Sequence, residues 1–158
     1  MNKKVKSAAF PAAFSLLAAA IAAASAAIFV NPASEWFSSL ELPAFLPDKT
    51  VQIVLWCVSL AAAGAGVAAV LIKGCGDRKL YLMFAGAGVG IILINALLYA
   101  LHSITWAVVI IIALLVLSCY ITLELKKRNC KAAFWLFAAF TVWIAFMTVA
   151  AMVLMLLN

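Results

Sequence analysis

Three side chains with a polar group at the tip lie inside long apolar runs of the sequence: Trp56, Asn95 and Trp143. A buried indole N–H or carboxamide needs a hydrogen-bond partner, and the flat face of an indole packs well against another flat ring. Each side chain could serve only the packing between helices. Together they could instead line an apolar pocket with a few polar groups, which is the usual composition of a site for a small molecule.

Groups that work together in acid–base, nucleophilic or metal chemistry are missing from the sequence. His102 is the single histidine, and it is expected in a short turn, where it could bind haem iron or simply remain solvated. A single histidine in a turn cannot act as the general base for the serine and threonine hydroxyls of the apolar runs, so no catalytic triad is expected. We therefore expect no catalytic residue, no metal site and no required cofactor. The four cysteines lack a C-x-x-C pair, so neither a zinc site nor a disulfide framework is predicted.

The composition is that of a membrane protein. Of 158 residues, 70% are hydrophobic and 10% are charged, and the mean hydropathy is +1.25. Such a chain has too little polar surface to cover itself in water. A soluble enzyme, a disordered chain and a nucleic-acid-binding domain are therefore disfavoured. The net charge of +6 does not change this, because the basic residues fall in short clusters between apolar runs.

Five apolar runs reach the length of about 20 residues that a membrane-spanning helix needs. Only helices satisfy every backbone group in lipid at these lengths, so we predict an all-α membrane protein, a five-transmembrane-helix bundle. It forms one domain over residues 1–158, with an outer loop at 31–49 and spans at 8–30, 50–72, 80–101, 106–125 and 132–157. The short links between the later runs predict that consecutive helices are antiparallel neighbours.

The first run has an alternative interpretation. Lysines precede it, and Ala24-Ser25-Ala26 resembles a small-residue cleavage site, which is the pattern of a signal peptide. The apolar stretch of about 23 residues is longer than the usual signal-peptide core of about 7–15 residues, so we favour an intact helix.

Basic residues indicate the orientation of the helices. Ten of the eleven Lys and Arg residues fall on the side of the N-terminus and of the second and fourth loops, whereas Lys49 falls on the other side. Cytoplasmic loops carry the excess of positive charge, so we place the N-terminus in the cytoplasm and the 31–49 loop and the C-terminus outside. No run holds a charged side chain near its centre, which argues against an ion-coupled transporter.

Gly86 and Gly90 form a G-x-x-x-G pattern in the third run. Small residues at this spacing let two helices approach closely in lipid, either within the bundle or across a homodimer seam. Leu117, Tyr120 and Lys126 match a loose pattern proposed for sterol contact, but many membrane helices match it.

Two motifs resemble those of the TspO/MBR family, the translocator proteins or tryptophan-rich sensory proteins. The first, in the 31–49 loop, reads Trp36-Phe37-x-x-Leu40-x-x-Pro43-x-Phe45-x-Pro47. The second, in the fifth run, reads Phe140-x-x-Trp143-x-x-Phe146-x-Thr148 and is followed by Leu157-Asn158. Trp56 matches the family tryptophan of the second helix, and Asn95 matches the asparagine of the N-x-x-W motif in the third.

The chain also departs from the family pattern, mostly by losing aromatic or polar side chains. Leu42 stands where the family has lysine, Asp48 where it has proline, and Ala151 where it has asparagine. Phe45 and Leu98 each stand where the family has tryptophan, and Ala139-Phe140 stands where it has Pro-Tyr. These replacements leave open a divergent member with another ligand preference, or with none.

The resemblance implies a bundle, often homodimeric, that binds porphyrins and other flat apolar molecules, sterols among them, in a pocket beneath the first loop. The implied ligand-binding residues are Trp56, Asn95, Phe140, Trp143, Phe146 and Thr148. The implied loop lid consists of Trp36, Leu40, Pro43, Phe45 and Pro47. The implied partners are the lipid bilayer, a second copy of the chain and a hydrophobic ligand such as porphyrin or haem.

We therefore expect an integral membrane receptor or carrier for porphyrins or similar flat molecules, with a sensory or transport role. Two alternatives remain open. One is an enzyme that degrades porphyrin by photo-oxidation, in which Trp56 and Trp143 would act. The other is a structural membrane protein that has lost its pocket.

Overall fold

Four long helices make up most of the residues that the structure describes. The computed structural model describes Trp36 and residues 39–158, so the predicted first span at 8–30 lies outside the described residues. The helices are α1, Lys49–Lys73; α2, Arg78–Asn95; α3, Ile104–Lys127; and α4, Lys131–Leu157. Each is long and apolar enough to cross a bilayer, which confirms an all-α, multi-pass membrane protein.

The helices pack in an order that differs from their order along the chain. Helix α4 packs against both α1 and α3, and α3 also packs against α2. Only four residues link α1 to α2, yet these two helices make few contacts within the described residues. The prediction that consecutive helices are neighbours is therefore wrong for this pair. Helices that are apolar on every side do not select a partner by an amphipathic face.

The link between α1 and α2 is short because one helix cap follows directly on another. Gly74 has a φ of 63°, a left-handed conformation that glycine adopts without steric cost, and its N–H bonds to the carbonyl of Leu71 at 3.3 Å. Three residues later, the carboxylate of Asp77 accepts a hydrogen bond from the N–H of Leu80 at 2.9 Å and caps the start of α2.

Asp77 also pairs with Arg128, which lies in the link between α3 and α4. Arg128 Nη2 is 3.0 Å from Asp77 Oδ2, and Nη1 donates to the carbonyl of Cys75 at 3.3 Å. The hydrogen bond from Arg128 holds the pKa of Asp77 below its usual value. The pair therefore contributes fully to stability above about pH 4, and this contribution is lost as the pH falls through the lowered pKa. The two links meet at one end of the bundle, the link end.

A disulfide between Cys75 and Cys130 joins the same two links. The prediction of no disulfide from cysteine spacing is therefore wrong. The two residues are 55 positions apart, and only the packing of the helices brings their Cα atoms to 6.8 Å. Sequence spacing cannot show this, because two separate links must first meet. Cys57 and Cys119 are free thiols.

Small residues allow the helices to approach closely. A Cβ atom built on Gly90 would lie 3.4 Å from Cδ1 of Leu114 in α3, and one on Gly86 would also contact α3. The G-x-x-x-G pattern therefore packs α2 against α3 within the bundle. Gly66 of α1 is placed similarly, with its Cβ position 3.5 Å from the carbonyl oxygen of Ala133 in α4.

Hydroxyl groups join α3 to α4 within the bundle. The Oγ1 atoms of Thr122 and Thr141 are 3.0 Å apart, and Thr141 Oγ1 is also 3.4 Å from the carbonyl oxygen of Ser118. Hydrogen bonds between helices in membranes contribute about 0.6 kcal/mol on average and about 1.7 kcal/mol at most.

We predict that Thr141→Val lowers the free energy of unfolding by about 0.6–1.7 kcal/mol, because valine keeps the shape of threonine but removes the hydroxyl. Thr148→Val is the matched control, since among the described residues the Thr148 hydroxyl bonds only to the Ile144 carbonyl of its own helix, at 2.8 Å. The free energy of unfolding of both variants is measured in mixed micelles with a denaturing detergent. An equal loss in the two variants would contradict the role of Thr141.

Candidate functional site

Residues 39–48, here named the lid, cross the end of the bundle opposite the links. Pro43 is buried, and its carbonyl accepts a hydrogen bond from the N–H of Leu46 at 2.9 Å, which closes a turn. Gln52, in the first turn of α1, donates to the carbonyl of Pro47 at 2.8 Å. The prolines and these two hydrogen bonds hold the lid in one shape without regular secondary structure.

The lid is also bonded to the end of α4. The side-chain carbonyl of Asn158 accepts a hydrogen bond from the N–H of Glu41 at 3.0 Å, and the side-chain amide donates to the carbonyl of Glu41 at 3.1 Å. The same amide is 3.1 Å from the carbonyl of Leu154, one turn back in α4. One carboxamide thus satisfies both backbone groups of a lid residue, as a neighbouring β-strand would. We name this arrangement the Asn158 latch.

Beneath the lid, the described residues enclose a cavity of about 70 Å³, the central cavity. Trp56 of α1 and Asn95 of α2 line it, and Pro43 closes it on the lid side. The rest of the lining is mostly apolar and includes Ala107, Val108, Met147, Ala150 and Ala151. The cavity therefore has the composition expected of a site for an apolar molecule, with two amides, Gln52 and Asn95, in its wall.

A π-helical turn shapes the wall of the central cavity. It spans Ala96–Ala100 and directly follows Asn95, where α2 ends. The N–H of Leu101 bonds to the carbonyl five residues back at 3.1 Å. A turn of this kind holds one more residue than an α-helical turn and is frequent at functional sites. Here it presents both Leu98 and Tyr99 to the cavity.

A larger space, the lateral groove, lies between α1 and α4. It has a volume of about 440 Å³ and is bounded at the lid end by Pro47. Trp143 and Phe146 of α4 form one wall, and Leu55 and Ser59 belong to the other. Drug-sized ligands occupy pockets of about 300–1,000 Å³, so the lateral groove reaches this range and the central cavity does not.

Two indole rings separate the central cavity from the lateral groove. Trp56 lines the cavity and Trp143 lines the groove. The ring centroids are 6.0 Å apart and the ring planes meet at 87°, which is the favourable edge-to-face arrangement. Both side chains are buried, with exposed fractions of 4% for Trp56 and 9% for Trp143. We refer to them as the indole pair.

Ring contacts continue from the indole pair to the lid. Phe146 stacks on Trp143 with centroids 5.4 Å apart, and Phe45 of the lid meets Phe146 edge-on at 6.1 Å. The ring of Trp36 lies 4.7 Å from that of His102, in the turn between α2 and α3. Phe45, Phe146 and the indole pair therefore form a continuous chain of four rings.

Polar groups at the site are few. Asn95 donates to the carbonyl of Ile91 in its own helix at 3.0 Å, so its amide has a partner without a ligand. The buried Nε1–H of Trp143 has no hydrogen-bond acceptor among the described residues. An unpaired donor is costly in lipid, so an oxygen or nitrogen atom of a ligand would be well placed to relieve it.

Some of the predicted site residues lie outside the described lining of both spaces. Phe140 is 1% exposed and packs on Phe137 in the helix core. Thr148 is buried, and its hydroxyl bonds to the carbonyl of Ile144. Leu40 is half-buried in the lid. Within the described residues, no group of three His, Cys, Asp or Glu side chains is placed to hold a metal ion.

Several lining residues were not found from the sequence. Tyr99 and Met147 line the central cavity, but nothing in an unbroken apolar run distinguishes the side of the helix they occupy. Gln52 could have been noticed as a lone amide at the start of an apolar run, whereas Asn158 was identified only as the end of the second motif and not as a contact of the lid. Both amides bond to the lid.

A model of the TspO/MBR family matches residues 8–156. The match covers three of the described helices in full, α4 up to residue 156, and both tryptophan motifs. No curated protein matches the chain.

We predict that Asn158→Ala speeds hydrogen exchange at lid amides by about 5- to 150-fold, because two hydrogen bonds of about 0.5–1.5 kcal/mol each are lost. Asn158→Asp should have an intermediate effect, since a carboxylate still accepts from Glu41 but cannot donate to it. Leu157→Ala is the control, an exposed neighbour outside the latch. Mass-spectrometric exchange in micelles provides the measurement, and unchanged lid exchange in Asn158→Ala would refute the latch.

Proposed function

The chain belongs to the TspO/MBR family, whose model matches residues 8–156, and from this premise we propose that it is a membrane receptor or carrier for porphyrins or similar flat hydrophobic molecules. The lipid bilayer supplies or receives the ligand. The role is sensing or transport, and sterols are a further ligand class to test.

The observation that carries this proposal is the indole pair between two apolar spaces. Trp56 faces one space and Trp143 the other, and the two rings touch edge to face. Flat conjugated ligands stack on indole faces, and such contacts contribute about 0.5–1.5 kcal/mol beyond the burial of area. The main contribution to affinity is burial of apolar surface, at about 25 cal/mol per Å².

The two volumes suggest how a large ligand is accommodated. The central cavity of about 70 Å³ is too small for a tetrapyrrole, whereas the lateral groove of about 440 Å³ opens beside it. We propose that a ligand first occupies the groove against Trp143 and Phe146. Rotation of the Trp143 ring then joins the groove to the central cavity. The unsatisfied Nε1–H of Trp143 favours this step, because the ligand can supply the missing acceptor.

Charge supports a particular orientation of the proposed receptor. Every Lys and Arg of residues 50–158 lies towards the link end. By the positive-inside rule we propose that the links face the cytoplasm and the lid faces outside.

A homodimer, which the family often forms, cannot use the side of α2 that Gly86 and Gly90 pack on α3. The Cβ position of Gly88 has open space around it, and we propose its side of α2 for the seam.

A second candidate, a structural membrane protein without a ligand, is favoured by the size of the central cavity. Leu98 and Ala151 line that cavity in place of the larger or more polar family residues. Protoporphyrin tests the two candidates directly. A rise in melting temperature on adding it supports a receptor, and no shift at saturating concentration supports the structural protein. A light-dependent product that requires Trp143 would indicate porphyrin breakdown instead.

We predict that Trp143→Phe and Trp56→Phe each weaken protoporphyrin binding by roughly tenfold, since each loses part of an aromatic contact and Trp143 also loses its donor. Titration followed by porphyrin absorbance measures the affinity without relying on tryptophan emission. Trp135→Phe is the matched control in α4, because the Trp135 ring is 71% exposed. Wild-type affinity in both indole-pair variants would remove these residues from the site.

A further inference from the structure

The two links at the link end are held together by contacts that do not involve sulfur. Arg128 bonds to the backbone carbonyl of Cys75 at 3.3 Å and to the carboxylate of Asp77 at 3.0 Å. The N–H of Cys75 also donates to the carbonyl of Val70 at 3.3 Å, and the N–H of Cys130 donates to the carbonyl of Leu125 at 3.1 Å. The two cysteines therefore stay close to each other whether or not a bond joins them.

The proposed orientation, on which this inference rests, puts this pair in a reducing compartment. All seven Lys and Arg residues of 50–158 lie towards the link end, which the positive-inside rule assigns to the cytoplasm. Disulfides there are rare, and those that form are mostly transient or redox-sensing, because the cytosolic thiol pool reduces them. A close cysteine pair on this side is therefore not explained as a permanent structural bridge.

We propose that Cys75 and Cys130 form a reversible thiol–disulfide exchange site on the cytoplasmic face, with a small disulfide of the glutathione class as its reaction partner. Cys75 reacts first, because it is partly exposed whereas Cys130 is only 2% exposed. This site is independent of the proposed ligand.

The reaction has two exchange steps. The Cys75 thiolate attacks one sulfur of the small disulfide, forms a mixed disulfide and releases one glutathione thiolate. The Cys130 thiolate then attacks the Cys75 sulfur, forms the intramolecular bond and releases the second glutathione. The two protons lost by the protein thiols go to the two glutathione thiolates. The protein pair is oxidised and glutathione disulfide is reduced, and excess glutathione reverses both steps.

The bond connects two links that Arg128 already holds together. It ties the link after α1 to the link before α4, across 55 residues. Closing this loop restricts the unfolded chain, so the oxidised form should melt at a temperature several degrees higher than the reduced form.

Thiol trapping in cells tests the proposal with the wild-type chain. Acid quenching followed by maleimide labelling and intact mass should show four free thiols in untreated growing cells. After brief treatment with the thiol oxidant diamide, two thiols should be protected, and peptide mapping should assign them to Cys75 and Cys130. Protection of the pair in untreated cells would overturn the proposal, because the bond would then be permanent. Full labelling after diamide treatment would also overturn it.

Variants of the purified protein test the order of attack. In glutathione disulfide, Cys130→Ser should collect one glutathione on Cys75, because the resolving thiol is missing. Cys75→Ser should collect several-fold less on the nearly inaccessible Cys130. Cys119→Ser is the matched control and should close the Cys75–Cys130 bond as the wild type does. Equal adducts on both variants would contradict Cys75 as the attacking thiol.

Discussion

The edge-to-face contact between Trp56 and Trp143 is the constraint on which the candidate site depends. It joins α1 to α4 at the level of the cavity and lies between the central cavity and the lateral groove. A smaller side chain at either position would turn two spaces into one. The contact therefore determines both the shape of the empty site and the step by which a larger molecule would enter.

The boundaries of the described helices could be predicted from sequence to within about two residues, when the π-helical turn at Ala96–Ala100 is counted as the end of the third span. The run at 50–72 became Lys49–Lys73, and the run at 132–157 became Lys131–Leu157. This accuracy has a physical cause, because the ends of a membrane-spanning helix are set by the thickness of the bilayer and by the first charged or capping residues. The membrane class follows from the same hydropathy.

The rotation of each helix about its axis could not be predicted in the same way. In water an amphipathic face would mark the core, but these helices are apolar all round, so packing alone decides which side chains face inwards. Phe140 and Thr148 were assigned to the ligand site from the family resemblance, and both are buried outside the described lining of the two spaces. Trp56 and Asn95 do line the cavity. Their position could be predicted because a polar group is easily recognised within an apolar run.

The π-helical turn at Ala96–Ala100 changes which side chains of the third span face the cavity. One additional residue in a turn shifts everything after it by one place around the helix, as a single-residue insertion would. In an unbroken α-helix, Leu98 would occupy the position of the tryptophan in the N-x-x-W motif that starts at Asn95. After the insertion, Tyr99 comes closer to that place, and it lines the cavity. The π-helical turn thus lets an aromatic ring, Tyr99, line the cavity together with Leu98.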